Sequence, residues 1–146
     1  MKKSILIYSI SILIIILFLY ASISKLFDYG EFRKQLHYSP YISNLAPLLV
    51  WALPAVEIIV SLLLVFNRTR LLGLYSSFLL MLAFSGYLAY MLAFASIEEV
   101  PCPCGGILGE MSWSTHLIFN LAFVGLALWG IMLSRRSEVR SLRSEI

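Results

Sequence analysis

The two cysteines of this 146-residue chain stand one residue apart in the stretch "VPCPCGGILGEMSWSTHLIFN", residues 100–120. Residues two apart on an extended chain are about 6.6 Å apart between Cα atoms, near the upper end of the roughly 4.4–6.8 Å that a disulfide spans. Pro103 biases Cys102 towards that extended form and fixes its own φ. Closing so small a loop gains about 1.6 kcal/mol of chain entropy, whereas distortion of the bond can store several kcal/mol. A Cys102–Cys104 bond is therefore a poor staple and an easily reduced one. Gly105 and Gly106 follow at once and leave room for a partner's backbone. Redox exchange through Cys102 and Cys104 is the expected chemistry. Capture of a soft ion such as Cu(I), helped by Met111 or His116, is an alternative, and a tight loop without chemistry is another. Glu98 and Glu99 disfavour a thiolate and argue against a strongly acidic thiol.

The second group of residues lies inside apolar runs. In "WALPAVEIIVSLLLVF" Pro54 and Glu57 fall about halfway along a hydrophobic segment. A carboxylate at that depth costs about 2.5–3.5 kcal/mol on insertion scales, so it must be protonated, hydrogen-bonded or facing a polar cavity. Two roles stay open for Glu57: a neutral hydrogen bond to a neighbouring helix, or moving protons and holding a polar headgroup. Pro54 releases the Val50 carbonyl from its helical bond, which favours a local kink or a water. His116 and Asn120 are four apart and share a helix face, just below Trp113 at the outer boundary. A polar pocket built from Glu57, His116 and Asn120 is feasible.

Composition states what must position these groups. The chain is 60% hydrophobic and 13% charged, where soluble domains are about a quarter charged, so it is expected to be an integral membrane protein of one domain, residues 1–146. Four stretches, at about 4–23, 45–66, 71–96 and 114–134, approach the roughly 20 residues needed to cross a hydrocarbon core. Lys2, Lys3, Arg68, Arg70, Arg135, Arg136, Arg140 and Arg143 fall on one side, and Lys25, Arg33 and Lys34 on the other. The excess of Lys and Arg marks the cytoplasmic face, which puts both termini inside and the cysteine loop outside a bacterial cytoplasmic membrane. Cleavage as a secretory signal at Ser22-Ile23-Ser24 is the rival fate of the first stretch. The polar segment "SKLFDYGEFRKQLHYSPYISNLAP" suits a short helix in the outer interface, with Leu26, Phe27, Phe32 and Leu36 on one side. In the third stretch Gly73, Ser76, Ser77, Ser85 and Gly86 let helix backbones approach closely. The net charge of +3 reflects orientation and contact of the Arg-rich tail with anionic lipid, not nucleic-acid binding.

The succession "ASISKLFDYGEF", "LPAVEIIVSLLLV", "RLLGLYSSFLLMLAFSGYLAY" and "CPCGG" followed by "SW" resembles the MauE branch of the DoxX-like four-helix membrane proteins. The Cys-x-Cys-Gly loop is its most specific element. The resemblance implies an all-α membrane four-helix bundle akin to enzymes that make disulfides with quinone. It also implies a thioredoxin-fold partner and a part in maturing the disulfide-rich small subunit of methylamine dehydrogenase. By position Cys102 and Cys104 match the family's cysteine pair, and Pro54 and Glu57 its second-span motif. Relay enzymes of this type carry a second cysteine pair and this chain does not. Either a thioredoxin-fold partner or secreted client supplies the other thiols, or a membrane quinone sits beneath the loop near Trp113 and His116, with Glu57 and Asn120 completing its pocket. The competing reading is a non-catalytic assembly or metal-binding membrane subunit.

Overall fold

In a hydrocarbon solvent every backbone amide must find its partner within the protein, so apolar runs of this length form helices. The computed structural model describes residues 2–39, 42–94 and 112–144. They form α1 (Lys2–Phe27), α2 (Tyr29–Tyr38), a single 3-10 turn (Ser43–Leu45), α3 (Ala46–Val65), α4 (Arg70–Phe94) and α5 (Trp113–Ser144). Four segments are long and apolar enough to cross a membrane: Ser4–Phe27, Ser43–Val65, Arg70–Phe94 and Ser114–Ser137. Among the described residues the protein is an all-α four-helix membrane bundle with one short extra helix. Around the bundle α1 packs on α3, α3 on α4, α4 on α5 and α5 on α1, while α1 and α4 scarcely meet across the diagonal.

Lipid tails are as apolar as leucine, so close packing and polar ties, rather than exclusion from water, hold such helices together. The packed stripe of α1 runs through Ile7, Ile10, Ser11, Ile14, Phe18, Ser22 and Lys25, the three-and-four spacing of one helix face. Ile10 and Ile14 meet Val60 and Leu64 of α3, Leu74 of α4 and Ile131 of α5 in the main core. Two glycines set how near the backbones come. A Cβ on Gly73 would lie 3.0 Å from the backbone nitrogen of Leu64, and one on Gly130 would lie 3.1 Å from Leu74 and 3.3 Å from Ile10. Gly86 is different, since a Cβ there meets nothing within 4 Å, so it does not serve the close approach expected of it. Buried serines bond back to their own helix, Ser11 to Ile7, Ser61 to Glu57, Ser77 to Gly73 and Ser85 to Met81, which satisfies the hydroxyls without a partner helix.

The bundle has two unlike ends. At one, the start of α1, the α3–α4 turn and Ser134 of α5 border a common hollow. There Arg70 stacks 4.0 Å over the Tyr8 ring and donates to the carbonyls of Leu64 and Val65, while Tyr8 donates to Asn67. At the other end α1 passes into α2 through Asp28, whose N–H still bonds Ser24 while its carbonyl accepts from Phe32. Phe32 and Leu36 of α2 pack on Ala46 and Val50 of α3, and Tyr29 lies against Trp51, ring centroids 5.3 Å apart. The short helix expected in the polar segment is therefore present, but Leu26 and Phe27 are exposed and belong to α1.

Two boundaries differ from the hydropathy reading. The first helix runs on past residue 23 to Phe27, because Lys25 continues its packed stripe and finds a partner inside the bundle. The last helix runs past residue 134 to Ser144, since the polar tail contains no glycine or proline to stop it. Residues 95 and 96, assigned to the third stretch, lie outside the described residues, as do Cys102 and Cys104.

Candidate functional site

Between α1, α3, α4 and α5, at the end capped by α2, lies a cavity of about 270 Å³. Its walls are mostly aliphatic and aromatic, among them Leu17, Phe18, Leu49, Leu53, Leu80, Phe84 and Phe119, and its polar lining comes from Lys25, Glu57, Tyr87, His116 and Asn120. Glu57, His116 and Asn120, expected to form a pocket, are brought together here.

Each polar side chain is placed by its helix. Glu57 follows Pro54 by three residues on the buried stripe of α3 that continues through Val60, Ser61 and Leu64. Its partner is Lys25 of α1, whose Nζ donates to Glu57 Oε1. Both side chains are more than nine-tenths buried, with 8% and 9% exposure. The ammonium also lies 5.9 Å from the centre of the Phe32 ring, so α2 closes over the pair. Glu57 Oε2 is buried and has no hydrogen-bond partner among the described residues. Glu57 is thus bonded to a neighbouring helix through Lys25, and its second oxygen is buried without a partner among the described residues.

On the opposite wall Asn120 Nδ2 donates to the Met81 carbonyl at 3.4 Å and to Ser85 Oγ at 3.2 Å, tying α5 to α4. His116 is buried, 3% exposed, and stands edge-on to Phe84 with ring centroids 5.6 Å apart. Phe84 in turn stacks with Tyr87 at 6.4 Å. The Tyr87 hydroxyl donates to Ser39 Oγ at 3.0 Å, joining α4 to the end of α2. Ser112 caps α5: its Oγ accepts from the Thr115 N–H at 3.3 Å and its carbonyl from the His116 N–H. The side chain of Trp113 lies outside the described residues, although its backbone opens α5. Among the described residues no cluster of three or more His, Cys, Asp or Glu side chains could hold a metal ion.

Lys25 is the site residue that sequence reasoning missed. Counted with Arg33 and Lys34 it reads as an outer-loop charge. Two signals pointed inward: it lies three residues beyond Ser22 and seven beyond Phe18 on one helical face, and Glu57 required a partner. Phe84, Tyr87 and Ser85 were equally hidden, since aromatic and small residues on an apolar helix carry no distinguishing pattern.

Phe94, the last residue of α4, and Ser112, at the head of α5, lie at the same end of the bundle as this cavity, and Cys102 and Cys104 fall between them in the sequence. No curated protein and no solved structure matches the chain. A match to the family described as methylamine utilisation protein MauE extends over residues 3–133, taking in α1 to α4 and most of α5. The chain therefore belongs to the MauE family of methylamine utilisation proteins.

Proposed function

We propose that the chain is a membrane thiol-disulfide exchanger that supports maturation of a disulfide-containing secreted protein. Cys102 and Cys104 cycle between disulfide and dithiol. In the forward exchange, a thiolate of a thioredoxin-fold partner or client attacks one sulfur of the Cys102–Cys104 bond, giving a mixed disulfide. A second partner thiolate then displaces it. The partner gains an S–S bond and the chain gains two thiols, so two electrons and two protons pass inward.

The observation that carries this reading is the position of the cavity. Phe94 and Ser112, between which the cysteines fall in the sequence, stand at the bundle end where an apolar space with four buried polar side chains opens, room for a second reactant on the membrane side. The lining suits the ring of a membrane quinone: about 270 Å³, aromatic walls and few polar contacts, the usual make-up of a small-molecule site. Glu57, His116 and Asn120, with Trp113 at the head of α5, would hold it. A bound quinone supplies an acceptor for two electrons and two protons, which returns the dithiol to disulfide.

The Lys and Arg bias supports a reading in which this end lies outside the cytoplasmic membrane. Lys2, Lys3, Arg68 and Arg70 belong to the opposite end, as do Arg135 and Arg136, and Lys25 is neutralised by Glu57, leaving Arg33 and Lys34 at the cysteine end. In the family's setting, the client is the small subunit of methylamine dehydrogenase or a protein like it.

The test replaces both cysteines by serine in cells lacking the native chain. Loss of client disulfides is expected, and Cys102→Ser or Cys104→Ser alone should trap a mixed disulfide visible on a non-reducing gel. Full rescue by the double-serine chain would instead favour a scaffold or assembly subunit.

A further inference from the structure

The end of the bundle away from the cavity takes no part in the proposed exchange, yet it holds a hollow of about 230 Å³ between α1, the α3–α4 turn and α5. Its polar lining is Ser4, Tyr8, Asn67, Arg70, Ser134 and Ser137, none of them buried. The last carbonyls of a helix such as α3 have no partner within it. Here they are covered, since Thr69 donates to Leu63 and Phe66 and Arg70 to Leu64 and Val65. Those bonds use two of the five guanidinium N–H groups and hold Arg70 4.0 Å over the Tyr8 ring. Asn67 Oδ1 accepts from Tyr8, and the Asn67 amide hydrogens have no partner among the described residues. The hydroxyls of Ser4, Ser134 and Ser137 have none there either. The hollow is therefore rich in donors, and its one side-chain carbonyl is occupied.

Charge and depth say what fits. Lys2, Lys3, Arg68, Arg70, Arg135 and Arg136 gather at this end, with Glu138 as the acidic residue next along α5. Asp28, Glu31 and Glu57 belong to the cavity end. The four apolar segments start or stop here, at Ser4, Val65, Arg70 and Ser137, which sets the hollow level with lipid headgroups rather than in hydrocarbon. From this we infer that the hollow binds the phosphate of one anionic phospholipid, held by Arg70, Asn67 and the serine hydroxyls, in preference to a zwitterionic lipid. A guanidinium pairs with phosphate oxygens through two parallel N–H bonds. A phosphatidylglycerol headgroup adds only hydroxyls, which serine can meet. A choline headgroup adds a cation, which Arg68 and Arg70 repel. The inference is independent of the redox reading and of which way the bundle faces.

The experiment uses the full chain in a neutral detergent and counts retained lipid by native mass spectrometry as dioleoylphosphatidylglycerol or dioleoylphosphatidylcholine is titrated in. One phosphatidylglycerol should be held about tenfold more tightly than phosphatidylcholine, the size of one hydrogen bond to a charged group. Asn67→Asp keeps the acceptor for Tyr8 and brings a negative charge to the hollow, so it should cut the preference below about twofold. Arg70→Gln should do the same. Arg135→Gln/Arg136→Gln removes two charges from the neighbouring tail and should leave most of the preference. Inorganic phosphate in millimolar excess, at constant ionic strength, should not displace the lipid. Displacement would make the hollow a site for free phosphate and overturns the lipid assignment. Equal retention of the two lipids by the unaltered chain overturns the inference whether or not any variant folds. So does a preference that survives both Asn67→Asp and Arg70→Gln, or one that vanishes with the tail arginines alone.

Discussion

Two lysine–glutamate pairs lie within a few turns of each other and have opposite physical characters. Lys25 and Glu57 join α1 to α3 with 8% and 9% of their side chains exposed. Lys34 and Glu31 sit one turn apart on α2, at 2.8 Å, with 65% and 67% exposed. The surface pair gives up little hydration and gains little, since water and salt compete for both ions. The buried pair has left water altogether, and replacing such a pair by well-packed apolar groups is often neutral or stabilising. A bundle that only needed to cohere would do as well with leucine at both positions. The retained pair lines a cavity and leaves one buried carboxylate oxygen without a partner among the described residues, which points to use of the site rather than to cohesion.

The largest effect should come from separating the buried ions. Lys25→Met leaves a carboxylate alone in an apolar site and should destabilise the bundle by about 3–5 kcal/mol, read by detergent-driven unfolding of the purified chain. Lys25→Met/Glu57→Gln should recover most of that loss, a coupling that a double-mutant cycle isolates. If Lys25→Met cost no more than Lys34→Met, the contrast between the pairs would disappear.

A neutral buried tie should fall between the two extremes. Asn120→Leu removes both bonds from α5 to α4, at Met81 and Ser85. It should cost about 1 kcal/mol, the usual worth of neutral hydrogen bonds between membrane helices. The Phe84 and His116 contact beside it should persist, so the loss is expected in unfolding rather than in helix content by circular dichroism. A cost near that of Lys25→Met would mean that charge is not what distinguishes the Lys25–Glu57 pair.

How much of this could be read from the sequence follows the same division. Hydropathy located all four membrane helices, and the alternation of apolar and charged residues in "YGEFRKQLHY" located α2, because both patterns are averages over many residues. Hydropathy shows where the membrane is, not where a helix stops, so α1 and α5 outran their expected ends at residues 23 and 134. Glu57 announced itself as a charge in a greasy run and required a partner. Which cation would answer depends on how α1 rotates against α3, a property of packed surfaces that one chain of letters does not carry. The same is true of the glycines: Gly73 and Gly86 look alike in sequence, yet only Gly73 faces a neighbouring backbone. His116 and Asn120 were legible as one face by their spacing, and the cavity they line was legible only as a possibility. Cys102 and Cys104 lie outside the described residues, so their chemistry rests on spacing and on the place where their segment joins the bundle.

The smallest effect tests the exposed pair directly. Glu31 holds the Lys34 ammonium above the usual lysine value, first through its hydrogen bond and then through its charge. A lysine raised in this way contributes stability that is complete below its unfolded pKa and lost only as pH climbs through the folded one, so nothing about it changes near neutrality. Glu31→Gln should lower the titration of Lys34, followed by NMR of the side-chain carbon next to the ammonium, and should shift unfolding at pH 7 only slightly, because an exposed pair is worth little, with that small shift constant across neutral pH. Raising salt to 0.5 M, where the screening length is about 4 Å, should shrink the Glu31 effect on Lys34. The same salt should leave the penalty of Lys25→Met in place, because mobile ions cannot reach a pair enclosed by Phe32, Phe18 and the walls of the cavity. A Lys25→Met penalty that faded with salt would mean that water reaches the pair, and the two lysines would then differ in degree rather than in kind.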